Sequence, residues 1–397
     1  MSIGAGPQRT AEIAARVEAF VRDVVVPYES DPRRDHHGAP TDELANELKA
    51  KARAAGVLTP HILPDGSHLT QAETALVLRK SGLSILGPLA VNTAAPDEGN
   101  MYLLGRIARP DQVEQFLRPM VAGHRRSVFA MTEPGGAGSD PSQLLTTAVF
   151  NGNDYEISGL KWLITGANGA KTWIIMARVP ENPHGPSGPT LFLCEGDTPG
   201  IHIERVMDSM DRNYVEGHAV VRFEGLRLGP DQVLGEVGSA LRYAQMRLAP
   251  ARLTHAMRWL GAAARAQHIA LEHARVRTAF GKALVEHQGV NFMLADNEIA
   301  MHHCRLAIRH VAWMLDNDTR ARHESSIVKA FVSEELFKVT DRCVQILGGI
   351  GVTGETVVEM IFRDMRGFRL YDGPTEVHKY AIAMQLMRTG TAFASPV

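Results

Sequence analysis

Apolar residues recur along this chain with two different periods. Ala300, Cys304, Ala307, Ile308, Val311 and Leu315 fall at i, i+4, i+7, i+8, i+11 and i+15, the spacing of one helix face. Val221 and Phe223 alternate with Arg222 and Glu224, the period of a strand with one wet face. Thr172 to Val179 (TWIIMARV) is β-rich, and NGND at 151–154 is a turn signal between extended runs. Residues 9–125 are rich in Ala, Leu, Glu and Arg, with breaks at Pro27, Pro32, Pro60, Pro64 and Pro88. Gly and Pro cluster at 180–189 as a loop, and Gly348-Gly349 after Leu347 reads as a helix stop. The order is helical, then extended, then helical, with no internal repeat.

At 397 residues the chain exceeds one ordinary core. The pattern predicts an α+β protein with a helical N-terminal segment (1–125), a central β segment (126–238) and a C-terminal helical segment (239–397). Net charge is −2 with no run of one sign, so neither nucleic acid nor an acidic membrane surface is expected as a partner. Three scattered cysteines make neither a zinc site nor a disulfide framework, and no metal is expected. The first twenty residues lack an apolar signal core, and no apolar run approaches 18 residues. The expectation is a cytoplasmic protein acting on a small or medium-sized metabolite.

Several stretches carry candidate chemistry. Gly349 to Gly354 fits GxGxxG, but the preceding FKVTDRCVQIL reads as a helix, whereas a nucleotide site needs a strand there. A glycine-rich turn between helices is the better reading. Phe129 to Asp140 (FAMTEPGGAGSD) runs from a strand-like start into small residues, a loop whose backbone N–H groups can approach a ligand, or simply a turn. Gly159 to Thr165 (GLKWLIT) reads as a neighbouring strand with room for a flat ring beside it, or as ordinary core around Trp162. In Arg275 to Gln288 (RVRTAFGKALVEHQ), Arg277 and Lys282 flank Phe280-Gly281 and suit an anion beside a stacking ring, or a solvated basic loop. Tyr371-Asp372-Gly373-Pro374-Thr375-Glu376 opens the last helix, with Pro374 at its first position; Asp372 is either its cap or a proton acceptor.

Together MTEPGGAGSD, FGKALVEHQ, QILGGIGVTGE and LYDGPTEVH, in this order and spacing, resemble the acyl-CoA dehydrogenase family of flavoproteins over nearly the whole chain. The resemblance implies a helical N-terminal domain, a small β-barrel or sandwich and a C-terminal four-helix bundle. It implies FAD, with Phe129, Met131, Thr132, Gly138 and Ser139 on the flavin side of the β domain and Leu163 and Thr165 on the second strand. Arg277, Phe280, His287, Gln288, Gln345 and Gly349 match positions that reach the FAD of an adjacent subunit, hence a homo-oligomer, tetramer or dimer. Ser139, Arg252 and Gly373 match the substrate side. Asp372 stands at the catalytic base, where Glu is usual, as in a sub-branch with Asp-Gly-Pro-x-Glu-Val-His. Three departures stand out. The Gly135-Gly136 loop has one extra glycine. Trp162 precedes Leu163, an offset that on a regular strand turns it to the opposite face. Pro374 and Glu376 replace a Thr and a Gln that often bond the cofactor. Glu376 is thus a changed cofactor contact and also the rival base, one turn on.

The implied reaction is α,β-dehydrogenation of an acyl thioester, on CoA or a carrier protein, in fatty acid metabolism. A carboxylate takes the α proton, the β hydride goes to flavin N5, and an electron-transfer flavoprotein receives the electrons. Two other readings stay open: a flavin oxidase or monooxygenase on the same fold, and a catalytically silent structural member.

Overall fold

Local capping explains where several elements begin. Thr41 opens a helix because its side-chain oxygen accepts the Leu44 N–H. Thr70 and Glu73 form a reciprocal capping box, Thr70 Oγ1 accepting from Glu73 N at 3.2 Å and Glu73 Oε2 from Thr70 N at 3.0 Å. The computed structural model describes residues 4–35, 38–63, 67–181, 185–317 and 321–390. Pro64, residues 182–184 of the 180–189 loop and Met1 to Ile3 lie outside the described residues.

Omitting single turns, the helices before the sheet are α1 (Pro7–Phe20), α2 (Asp42–Ala54), α3 (Gln71–Ser81) and α4 (Asp97–Ile107). The strands are β1 (Ser127–Ala130), β2 (Thr147–Phe150), β3 (Tyr155–Thr165), β4 (Thr172–Val179), β5 (Gly188–Glu195), β6 (Ile201–Met207), β7 (His218–Leu228) and β8 (Val233–Leu234). There follow α5 (Ala240–Val276), a hairpin of β9 (Thr278–Ala279) and β10 (Lys282–Ala283), α6 (Gln288–Asp316), α7 (Arg322–Leu347), α8 (Val358–Phe368) and α9 (Thr375–Thr389). Among the described residues no helix is long and apolar enough to cross a membrane. The chain forms two compact units: one of Asp31–Thr59 and Leu89–Leu248, the other of Met1–Ser30, Pro60–Pro88 and Ala249–Val397.

The first unit holds a mixed sheet in the order β6-β7-β3-β2-β4-β5-β8, with β1 pairing parallel to β4. β4 lies between strands and is buried along nearly its whole length, which is why TWIIMARV is apolar throughout instead of alternating. Trp173, Ile175, Phe192, Val221 and Phe223 form its core, the Trp173 and Phe223 rings meeting edge-on at 6.2 Å. Each such fully buried side chain contributes about 1.5–3 kcal/mol.

β3 departs from simple alternation. Its pairing with β7 shifts register between Lys161 and Ile164, and Leu163 there adopts φ 54°. Lys161 and Ile164 are buried, while Leu163 is 45% exposed. The one-residue offset of Trp162 therefore does not define the face it presents, because the bulge interrupts the period on which that inference depends.

In the second unit, Ala300, Cys304, Ile308 and Val311 of α6 are buried as their spacing predicts. α7 stops at Gly348, φ 62°. The GxGxxG glycines follow this helix, not a strand, as the sequence indicated. Arg277 and Lys282 flank a two-residue turn, Phe280 (φ 50°) and Gly281 (φ 80°), closing β9 onto β10. One local expectation is corrected. Thr375, not Pro374, is the first residue of α9, and Pro374 is its N-cap position with no side-chain cap bond. Asp372 lies two residues further out at φ 54° and caps nothing, because a left-handed corner at Asp372-Gly373 separates it from the helix.

Candidate functional site

In the β unit two strand ends come together. Phe129 lies in β1, and Met131 and Thr132 follow it beside β3, where Trp162 N donates to Thr132 O at 3.1 Å. The join is secured by a buried ion pair that the sequence reading missed. Lys161 Nζ reaches Glu133 Oε1 at 2.9 Å and also donates to Met131 O at 2.9 Å. Glu133 in turn accepts the N–H groups of Leu145 (2.7 Å) and Thr146 (2.9 Å). Burial alone would raise the Glu133 carboxyl, but its bonds from Thr146 and Lys161 hold it down to about 2. Burial lowers Lys161 to about 8 despite its partner. The glutamate of MTEPGG and the lysine of GLKW thus lock the two motifs into one rim.

The extra glycine has a physical reason. A Cβ on Gly136 would lie 2.2 Å from Glu133 Oε2 and 2.6 Å from Gln143 O, so the loop can fold around the carboxylate only with glycine there. Gly138 and Ser139 stand exposed on this loop. Leu163 presents its side chain to solvent, and the Thr165 hydroxyl is engaged with His218 Nδ1 at 2.9 Å. Phe129 is covered by the Arg247 guanidinium, 4.3 Å above its ring and itself donating to Asn100 Oδ1 at 2.8 Å.

In the helical unit Arg252, Asp372 and Gly373 meet. Arg252 Nε donates to the Asp372 carbonyl at 2.8 Å, and His378 Nε2 donates to the same oxygen at 3.2 Å. Lys329 Nζ donates to the Gly373 carbonyl. Burial, then the neighbouring Arg252 and Lys329, depress the His378 imidazole to about 4, so it is neutral near pH 7. A carbonyl only accepts, so His378 carries its proton on Nε2. Burial brings Lys329 down to about 8, with Asp372 acting against it. Any side chain at Gly373 would put a Cβ 2.8 Å from His378 Nε2.

Three donors thus hold the carbonyls of Asp372 and Gly373, and the Asp372 carboxyl takes no part in those bonds. Oδ2 is buried without a hydrogen bond, 3.5 Å from His255 Nε2. A buried carboxylate oxygen with no donor forfeits its hydration uncompensated, so the state of Oδ2 asks for an explanation. Glu376, the rival base, is exposed on the first turn of α9.

The remaining candidates are surface residues of the helical unit. Phe280 is 98% exposed at the hairpin tip, with Arg277 exposed beside it. His287 packs against Phe280 and bonds the Ala279 carbonyl at 3.0 Å. Gln288 opens α6; Gln345 and Gly349, both exposed, sit at the end of α7. Sequence reasoning missed Lys329, His378 and His255. Charged or imidazole groups inside otherwise apolar helix faces (Lys329 in SSIVKAFV, His255 in RLTHAM) were the available signal.

Residues 128–224 match the model of the acyl-CoA dehydrogenase middle domain, and residues 238–387 that of the acyl-CoA dehydrogenase C-terminal domain. The chain is 36% identical over 372 residues to FadE2 of Mycobacterium tuberculosis, named a probable acyl-CoA dehydrogenase, covering 91% of this chain and 90% of that one. It is 33% identical to acyl-CoA dehydrogenase family member 11 of Rattus norvegicus over 95% of its own length, but spans only 50% of that protein. Among solved structures it is similar to a Mycobacterium abscessus protein assigned as an acyl-CoA dehydrogenase (TM-score 0.88, 36% identity, 98% and 100% of the two chains). It is also similar to butyryl-CoA dehydrogenase from Megasphaera elsdenii (TM-score 0.84, 26% identity, 98% and 100% covered).

Proposed function

The chain belongs to the acyl-CoA dehydrogenase family, and on that premise we propose that it removes two hydrogens across the α and β carbons of an acyl thioester, most simply an acyl-CoA, with Asp372 as the base. Family membership makes it an oxidoreductase of acyl thioesters, and it supports FAD as the cofactor, which would supply the acceptor for the β hydride. The residues present suit that group. Leu163 is held exposed by a left-handed backbone at the end of β3, offering apolar surface to a flat ring, and Gly138 and Ser139 lie on an open loop where backbone N–H groups are accessible. Met131, Thr132 and Thr165 complete that surface; Phe129 supports it from the strand.

One observation carries the assignment of the base: the buried, donor-free Oδ2 of Asp372 on a corner whose carbonyls are held by Arg252, His378 and Lys329. An aspartate reaches about 1.3–1.5 Å less far than a glutamate, and a misplacement of about 1 Å costs about 100-fold. A rigid corner offsets that shorter reach by fixing where the carboxylate stands. The Gly373 N–H then serves the thioester oxygen, stabilising the enolate as the α proton leaves. Ser139 and Arg252 stay on the substrate side, and Glu376 is kept as a contact to the cofactor.

Exposed Phe292, Ile299, Leu306 and Trp313 recur every seventh residue along α6. This apolar ridge, with Phe280, favours a second copy of the chain as its cover, and with it a dimer or tetramer in which Arg277, Phe280, His287, Gln288, Gln345 and Gly349 reach a neighbour's FAD. The electron acceptor is an electron-transfer flavoprotein. Cys194, Cys304 and Cys343 are free and buried, which suits the reducing cytoplasm.

The test is anaerobic titration of the yellow protein with a panel of acyl-CoAs. Asp372→Asn should keep FAD and lose bleaching by at least about 1,000-fold, on the scale of removing a general base. If Glu376→Gln abolishes bleaching while Asp372→Asn bleaches normally, the base is misassigned. Fast reoxidation of the reduced protein in air would point instead to an oxidase.

A further inference from the structure

Three residues of α5, at the spacing of successive turns, address the Asp372 corner. Arg252 takes the Asp372 carbonyl. His255, three residues on, brings Nε2 to 3.5 Å from the carboxyl oxygen that has no hydrogen bond. Trp259, four further, donates from Nε1 to the Tyr371 hydroxyl at 2.6 Å. The His255 side chain is 7% exposed, and its ring lies against Tyr371 (4.7 Å between centroids) and Phe368 (5.9 Å). The imidazole packs against these two rings, which also touch each other (5.6 Å between centroids), and the carboxyl is the softer partner, because rotation about Cβ–Cγ of an aspartate is broad.

We propose that His255 is the positioning residue for the base. Its Nε2–H donates to Asp372 Oδ2 and turns the carboxyl so that Oδ1 meets the α hydrogen of the substrate. In the step itself the α proton passes to Oδ1, its bonding pair forms the enolate, and His255 neither gains nor loses a proton. A rotation of the carboxyl converts the 3.5 Å approach into a hydrogen bond. In this way the shorter acid gains a fixed direction, which backbone clamps alone cannot give it. The groups facing this pair include Tyr371 beside the carboxyl, Arg252 on α5, Lys329 on α7 and His378 on α9. Of these, Lys329 and Arg252 keep their charge through the acid range, and His378 is neutral down to about 4. Protonation of His255 would make it a full counter-charge to Asp372 and weaken the base, so flavin reduction should fall at acid pH with a contribution from the imidazole.

The inference rests on Asp372 being the base, and the experiment separates the two. Holoenzyme is mixed anaerobically with butyryl-, isobutyryl- or octanoyl-CoA, whichever reduces the wild type fastest, and bleaching is followed by stopped flow from pH 5.5 to 9. His255→Ala should slow reduction by about 10- to 100-fold, with FAD content unchanged and the Kd for the thioester within about 3-fold. His255→Gln, which keeps an N–H at the position of Nε2, should recover to within about 5-fold and lose the imidazole's share of the acid limb. Should His255→Ala be poorly folded, the pH profile of His255→Gln decides alone. Wild-type rates with an unchanged acid limb in either variant would overturn the role, as would equal slowing in both with the limb intact. Those results leave Asp372 as base; only normal bleaching by Asp372→Asn removes it.

Discussion

Two of the buried lysines, Lys161 and Lys329, come from different units, occupy similar environments and have different partners. Lys161 and Lys329 are both fully buried, and burial brings both down to about 8. Lys161 meets a carboxylate at 2.9 Å, and the carboxylate collects backbone N–H groups in turn. Its charge is spent within the pair, and what the pair does is hold a loop to a strand. Lys329 donates to a peptide carbonyl and lies over the Phe368 ring at 5.5 Å, and among the described residues it has no carboxylate within ion-pair distance. Its charge is left facing the corner where Asp372 stands. Burying an ammonium without an anion is costly; on the proposed assignment of Asp372 as the base, that cost falls beside the carboxylate that has to be fixed. The two lysines thus differ in partner and not in depth: one is neutralised by a carboxylate, the other is held by a peptide carbonyl.

The comparison can be broken from either side. Glu133→Gln leaves Lys161 buried and unpaired, and should cost about 3–5 kcal/mol. Thermal unfolding should fall by about 10 °C, and the double variant Glu133→Gln/Lys161→Met should recover most of it. If the single variant melts with the wild type, the pair holds nothing together. Lys329→Met should do the opposite. Melting should change little, while flavin reduction by acyl-CoA slows about 10- to 100-fold through loss of the Gly373 contact, measured by stopped flow at fixed FAD content. A Lys329→Met protein that unfolds readily yet reduces its flavin at full rate would make both lysines structural.

His378 offers a smaller and sharper test. Its folded value is depressed to about 4 from an ordinary 6.5, so between those values the unfolded chain binds more protons than the folded one. Stability should therefore fall as pH drops from 6.5 towards 4, by up to about 1.4 kcal/mol per pH unit for this one group. His378→Gln should flatten that slope in denaturant titrations. An unchanged slope would mean that the imidazole is not the group being protonated.

Periodicity was enough to lay out the α–β–α order, the strand TWIIMARV, the buried face of α6 and the helix stop at Gly348, because each is a local consequence of spacing or of backbone freedom. The motifs were enough to bring Asp372 and Arg252 under suspicion and to indicate the family. What lay beyond them was decided by residues distant in sequence. The register shift in β3 arises in its pairing with β7, so no reading of GLKWLIT alone reveals which way Trp162 and Leu163 turn. Read locally, Asp372 could be a helix cap or a proton acceptor, because Asp-Gly-Pro is good capping chemistry. The corner at φ 54°, fixed by donors 120 and 44 residues away from their acceptors, takes it out of the helix and leaves its carboxyl beside His255. Sequence thus determined which elements form and which side chains are available. Only tertiary structure decided which donor each buried acceptor receives and which acceptor receives none, because hydrogen-bond partners across a core are a property of packing and have no period along the chain.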